Sequence, residues 1–252
     1  MKVAHGIASL MAYLYPRFEI LLFDFEGTLV NFQWDLEGAL NEVKRGLAKL
    51  GFDLLPFAED NYAVLRNKAI MLAPERGLDK KEVGNKIDAI YDRYDLDALS
   101  RWSLLMGVRS LLLCLRDNGE LKLGVVTNVG KKGIEKALVK FGLKELFDIV
   151  ITRNDVELMK PSGEGIEMAV KRLSGKKSSS LFIGDSVTDI LAARDAGVKV
   201  AIVQGGESDP LSIAETPPDY LWRSIEELKG PFFKVGKLLV KDRSPLHNIR
   251  SK

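Results

Sequence analysis

The chain has 252 residues, 46% hydrophobic and 29% charged, the proportions of an ordinary globular protein with one sizeable core or a core and a smaller accessory unit. Its formal net charge is +2 and its lysine pairs, Lys131-Lys132 and Lys176-Lys177, are short and far apart, which removes the clustered basic face that nucleic acid requires. No apolar run approaches the roughly 20 residues a membrane-spanning helix needs, so no membrane partner is expected.

Residues 1–16, mildly apolar and interrupted by His5, read as an N-terminal arm. Glu19-Ile20-Leu21-Leu22-Phe23 is a continuous apolar run ending in Asp24, the pattern of a strand buried on both faces. From Asp35 the period changes: Leu36, Leu40, Val43, Leu47 and Leu50 recur at helical spacing, with Asp35 as N-cap and Gly51 just past the end. The helical period continues through Val83, Ile87, Ile90, Tyr91 and Tyr94, broken by a turn at Ala73-Pro74-Glu75-Arg76-Gly77. Residues 34–103 therefore read as an all-helical insertion of about 70 residues, a plausible subdomain size.

After the insertion the chain alternates. A helix over 108–118 closes at Asn118-Gly119, then come a strand at 121–127, a helix at 131–141, a strand at 147–152 and a helix at 164–173. A strand at 180–184, a helix at 189–196 and a strand at 198–203 follow, and Asp219-Tyr220-Leu221-Trp222 with a short helix over 224–228 finishes the core. Such alternation predicts an α/β fold: a Rossmann-like parallel sheet covered by helices on both faces, built from residues 17–33 and 104–230. Residues 231–252 read as a polar C-terminal tail. Cys114, the only cysteine, sits in the run Leu111-Leu112-Leu113-Cys114-Leu115 and is expected in the core; it permits no internal disulfide, and a cytoplasmic setting fits. His5 and His247, both near the termini, argue against a His-based metal centre in the core.

Ligands of a parallel α/β sheet sit at the carboxyl ends of its strands. The first strand ends in Asp24, with Glu26 two residues on; Thr127-Asn128 end the next; Lys160-Pro161 follow the third, just ahead of a helix. The fourth ends in Gly184-Asp185-Ser186, with Asp189 one turn later. Carboxylates, a hydroxyl and a lysine on one rim are what a phosphoryl group and a magnesium ion (Mg²⁺) need, because Mg²⁺ takes hard oxygen ligands and lysine neutralises phosphate oxygens.

Asp24-Phe25-Glu26-Gly27-Thr28-Leu29, then Thr127-Asn128, Lys160-Pro161 and Gly184-Asp185-Ser186-Val187-Thr188-Asp189, resemble in order the four motifs of the haloacid dehalogenase superfamily, phosphatase branch. Ala192-Ala193-Arg194-Asp195-Ala196-Gly197 and the segment from Asp219 to Leu228 resemble its phosphoglycolate-phosphatase-like subgroup. The resemblance implies a Mg²⁺-dependent phosphatase acting on a small-molecule phosphate ester, as a monomer or homodimer, with the insertion 34–103 as a cap. It implies that Asp24 is nucleophile and metal ligand, and that Thr127 and Lys160 bind the transferring phosphoryl group. Asp185 would bind the metal and Asp189 support it, directly or through water, while Asn128 binds phosphate or closes the turn. Residue 26 would contribute its backbone carbonyl to the metal and its carboxyl as general acid and base. The family usually has aspartate there; Glu26 adds a methylene, and a misplacement of about 1 Å can cost on the order of a hundredfold in rate. Trp34, Arg66 and Arg101 fall in the insertion, where surface or core roles suit each better than substrate contact. A phosphomutase and a catalytically weakened binding homologue are the competing readings, and the ester itself stays open among phosphoglycolate, sugar phosphates and nucleotides.

Overall fold

A computed structural model describes residues 17–117, 121–229 and 238–239. The N-terminal arm, the helix closure at Asn118-Gly119, both histidines and the tail apart from residues 238–239 lie outside the described residues. The strands are β1 (Arg17–Phe18), β2 (Ile20–Phe23), β3 (Lys122–Val126), β4 (Ile149–Ile151), β5 (Ser180–Gly184), β6 (Lys199–Val203), β7 (Tyr220–Trp222) and β8 (Leu238–Leu239). The helices are α1 (Leu36–Lys49), α2 (Tyr62–Leu72), α3 (Lys80–Ala98), α4 (Val108–Asp117), α5 (Lys131–Lys140), α6 (Glu164–Arg172), α7 (Val187–Ala196) and α8 (Pro210–Glu215).

Six strands form one parallel sheet in the order β4-β3-β2-β5-β6-β7. Every residue of β2 is buried, and alternate side chains serve opposite layers. Leu21 and Phe23 join the apolar cluster shared with α1, α3 and α4, whereas Ile20 and Leu22 pack with Ile166 and Val170 of α6 and Ile190 of α7. Truncating either leucine to alanine would cost about 2–5 kcal/mol, since neither layer can collapse into the gap without distorting the strand. The chain passes from β2 outward to β3 and β4, then returns to β2's other side for β5, β6 and β7. That reversal opens a crevice at the carboxyl ends of β3, β2 and β5, where ligands of such sheets bind.

The segment between β2 and α4 is helical, as its period predicts. Asp35 caps α1, accepting from Gly38 N at 2.9 Å, and Ala39, Val43 and Leu47 form the buried face. Asn61 and Asp79 cap α2 and α3 in the same way. Trp34 packs against Tyr62, Tyr91 and Tyr94 with ring centroids 4.8, 5.1 and 6.0 Å apart. Charge ties these helices to the sheet. The buried Arg153, after β4, gives Nη1 to Asn128 O (2.7 Å) and Nη2 to Asp92 (2.6 Å) and Asp95 (3.0 Å) of α3, with Nε 3.1 Å from Asp88. Arg66 of α2 grips Asp88 through Nε and Nη2 (2.7 and 3.0 Å) and donates Nη1 to Glu157 O (2.9 Å).

One local reading changes. Cys114 is exposed, because the helical period of α4 buries Leu111, Leu112 and Leu115 and turns Cys114 outward. The Lys160-Pro161 peptide bond is cis, Ser162 N bonds back to Met159 O, and the following helix α6 begins at Glu164. Asp209 caps the short helix α8 through Leu211 N (2.9 Å) and Ser212 N (3.1 Å), with Pro210 at its first position. The two-residue strands β1 and β8, far apart in sequence, pair antiparallel and lend no periodic pattern to the sequence. Among the described residues no helix is long and apolar enough to cross a membrane.

Candidate active site

The crevice gathers the strand-end residues. Asp24 follows β2, Thr127 and Asn128 follow β3, and Asp185 follows β5. All are buried, as are Glu26, Lys160 and Asp189. Lys160 Nζ sits between two carboxylates, 2.7 Å from Asp24 Oδ1 and 2.6 Å from Asp189 Oδ1. Asp24, Asp185 and Asp189 each offer an oxygen within 4.8 Å of the others.

Each member is held by its local chain. Asn128 pins the lysine's backbone from both sides, accepting from Lys160 N (3.0 Å) and donating to Lys160 O (3.1 Å). Asn128 Nδ2 also reaches Tyr62 Oη at 3.3 Å. The Thr127 hydroxyl accepts from Val129 N (3.1 Å), which bends the chain away from the strand. Asp185 accepts from Thr28 Oγ1 (2.9 Å) and Glu207 N (2.6 Å). Gly27 allows this approach: its φ is +85°, and a Cβ there would stand 2.2 Å from Asp185 Oδ2. Asp189 Oδ2 takes Asp185 N, Ser186 N and Ser186 Oγ at 3.1, 3.1 and 2.8 Å, closing a capping box at the start of α7. With its other oxygen on Lys160, Asp189 is engaged on both sides.

Two carboxylates share Lys160 while a third, Asp185, stands beside them, and the electrostatics reflect it. Burial, reinforced by the Asp189 charge, lifts Asp24 to about 6 against the pull of Lys160. Burial also pushes Asp185 well above the usual carboxylate range, with Asp189 and Asp24 adding to it. Although burial works against the charged amine, Asp189 and Asp24 hold Lys160 above its ordinary value. Such an acidic, hard-oxygen cluster fits a divalent cation, whose charge would relieve the repulsion.

Glu26 stands apart from that cluster. Its Oε1 accepts from Trp102 Nε1 at 2.8 Å and from Gln33 N at 2.7 Å. Burial raises it to about 7 although both bonds lower it. Both bonds fall on Oε1, so Oε2 is the oxygen left to carry a proton. The walls around Asp24, Glu26 and Lys160 include Phe32, Trp34, Tyr62, Asp95, Val129 and Glu207. Trp34 thus reaches the site, whereas Arg66 is buried against Asp88 and Arg101 is exposed beside Asp97. Trp102, Arg153 and Tyr62 were not singled out as site-bearing from sequence, since a lone aromatic or arginine in a helical stretch carries no chemical signature.

A family model described as haloacid dehalogenase-like hydrolase matches residues 21–203. A pyrophosphatase PpaX of Halalkalibacterium halodurans is 36% identical over 122 residues, covering 48% of this chain and 56% of that protein. A plasmid-encoded phosphoglycolate phosphatase of Cupriavidus necator is 30% identical over 214 residues, covering 82% of this chain and 90% of its own length. The phosphoglycolate phosphatase of Pasteurella multocida is 30% identical over 223 residues, covering 84% and 97%. The crystal structure of a predicted phosphatase from Clostridium acetobutylicum superposes with a TM-score of 0.61 at 24% identity, covering 85% of this chain and 96% of that one, and so shares the fold.

Proposed function

We propose that this chain, which belongs to the haloacid dehalogenase-like hydrolase family, is a Mg²⁺-dependent phosphatase that cleaves small phosphomonoesters through a phosphorylated Asp24. The observation that carries the reading is Lys160 Nζ bridging Asp24 and Asp189 in a buried carboxylate cluster at the sheet's switch point. A buried lysine shared by two acids, with a third beside them, is a poor stabilising device but a good anion site once a cation joins the acids.

Asp24 and Asp185 would hold the Mg²⁺, with Asp189 behind them orienting Asp185 and Lys160. The ion, when bound, screens the carboxylates from the incoming phosphate and stabilises charge on its oxygens. An Asp24 oxygen attacks phosphorus, a new O–P bond forms and the ester P–O bond breaks. Glu26 Oε2 hands its proton to the leaving oxygen, releasing the alcohol. Water then attacks the same phosphorus, Glu26 takes a proton from it, and phosphate departs with Asp24 restored. Lys160 and the Thr127 hydroxyl bind the phosphoryl oxygens throughout, and the Asn128 amide fixes the backbone of Lys160. Residues 34–103 form the cap, sealed onto the core by Arg153 and Arg66; cytoplasmic residence is part of the same reading.

Phosphate release from a panel of phosphomonoesters, with and without Mg²⁺, tests the proposal. Wild type should turn over only with the metal, and Asp24→Asn should be inactive. Equal release by Asp24→Asn, or no release from any ester, would overturn it. Transfer within a sugar phosphate without free phosphate would point to a mutase instead.

A further inference from the structure

The part of the cavity away from the phosphoryl-binding residues has a chemistry of its own. Beyond the phosphoryl-binding residues the cavity is lined by Phe32, Trp34, Tyr62, Asp95 and Glu207, and among the described residues the only cationic side chain lining it is Lys160, already shared by Asp24 and Asp189. Arg153 lies beneath this wall, committed to Asp88, Asp92 and Asp95. A leaving group with its own carboxylate or phosphate would therefore meet aromatic faces and acidic side chains with nothing to neutralise it. Desolvating an unpaired anion is among the most unfavourable events in binding. Glu207 is exposed, so water screens it in part, yet its sign is wrong for an anion.

The same wall holds an unmet donor. Trp34 is 8% exposed, and its Nε1 is buried with no hydrogen-bond partner among the described residues. A buried indole N–H normally finds an acceptor. Tyr62, its ring centroid 4.8 Å from that of Trp34 and tilted by 51°, places its hydroxyl beside Asn128, where it accepts from Nδ2 and keeps its own proton for donation.

We infer that the leaving alcohol is uncharged and ring-bearing, with an apolar face for Phe32, Trp34 and Tyr62 and an oxygen or ring nitrogen that accepts from Trp34 Nε1. The inference rests on the phosphatase reading above and sets this chain apart from relatives named for phosphoglycolate or pyrophosphate. A sugar and a nucleoside both meet the description.

The test compares kcat/KM with Mg²⁺ for a hexose 6-phosphate, a nucleoside 5′-monophosphate, phosphoglycolate and inorganic pyrophosphate. At least one of the first two should exceed both of the others tenfold or more, and whichever does so names the source. Phosphoglycolate or pyrophosphate as the equal or better substrate would overturn the inference while leaving the phosphatase reading standing. Release from none of the four, nor from any wider ester panel, would overturn both. Trp34→Phe keeps the aromatic packing against Tyr91 and Tyr94 but deletes the donor. It should lower the ratio of ring ester to phosphoglycolate about fivefold, the loss of one hydrogen bond; an unchanged ratio would remove Trp34 from the assignment.

Discussion

Trp102 Nε1 donates to Glu26 Oε1 at 2.8 Å, joining the segment that re-enters the core after α3 to the loop that follows β2. Trp102 is buried and meets Phe25 edge to face at 5.3 Å, so the indole cannot turn away from the carboxylate. Gln33 N adds a second donor to the same oxygen. The longer glutamate side chain is thus caught by donors set for its reach. Trp102→Phe should keep the packing and lower kcat by about tenfold to a hundredfold, as loss of a hydrogen bond to a charged group implies, with KM changing far less. Steady-state kinetics on the best ester would show whether kcat moves alone.

Restoring the residue usual in the family should harm this enzyme. Glu26→Asp retracts the carboxyl by one methylene and strands both Trp102 Nε1 and Gln33 N. We expect kcat to fall by roughly tenfold or more rather than rise. A gain in kcat would show that the two donors do not position the acid.

The pH dependence follows from Glu26 standing at about 7. In the proposed role of acid it must be protonated, so the rate of the proposed Asp24 phosphorylation should fall as pH rises through that region. As a base it must be ionised, so hydrolysis of the phosphorylated enzyme should fall as pH drops through it. A bound cation draws both limbs toward lower pH by favouring the carboxylate. Rapid-quench measurement of each half-reaction separates them, and Glu26→Gln should flatten both limbs.

Asp185 should trade stability for function. Its folded pKa lies above the unfolded value, so its ionised form destabilises the metal-free fold at neutral pH and that cost fades as pH falls. Asp185→Asn should therefore raise the melting temperature in the presence of chelator. Mg²⁺ should raise the melting temperature of wild type but leave Asp185→Asn unmoved, since only a bound ligand stabilises by mass action. Thermal melts with chelator and with Mg²⁺ check both halves.

Arg153 should be the costliest single charge to remove. Arg153→Met leaves Asp88, Asp92 and Asp95 facing one another around a buried gap, a loss of about 3–5 kcal/mol. At roughly 2–4 °C per kcal/mol for a chain of this size, the melting temperature should fall by about 10 °C. Lys86→Met, which breaks an exposed pair with Glu82 on α3, should leave it nearly unchanged.

The sheet, the helical insertion, the strand-end positions of Asp24, Thr127 and Asp185 and the place of Lys160 ahead of a helix were legible in the sequence, because hydrophobic period and strand termini are local properties. Glu26 was visible as a departure from the usual aspartate, but its partner was not. Trp102 lies 76 residues away and reads as one more core aromatic, and only the return of the chain beneath the helices puts its N–H on Oε1. Arg153 carries no local signal of its role, and only the packing of α3 brings Asp88, Asp92 and Asp95 onto it. Tertiary structure alone decided these pairings, because a hydrogen bond is fixed within tenths of an ångström by distant segments that no local period encodes. It likewise exposed Cys114, where one step of 100° around α4 separates a core leucine from the surface.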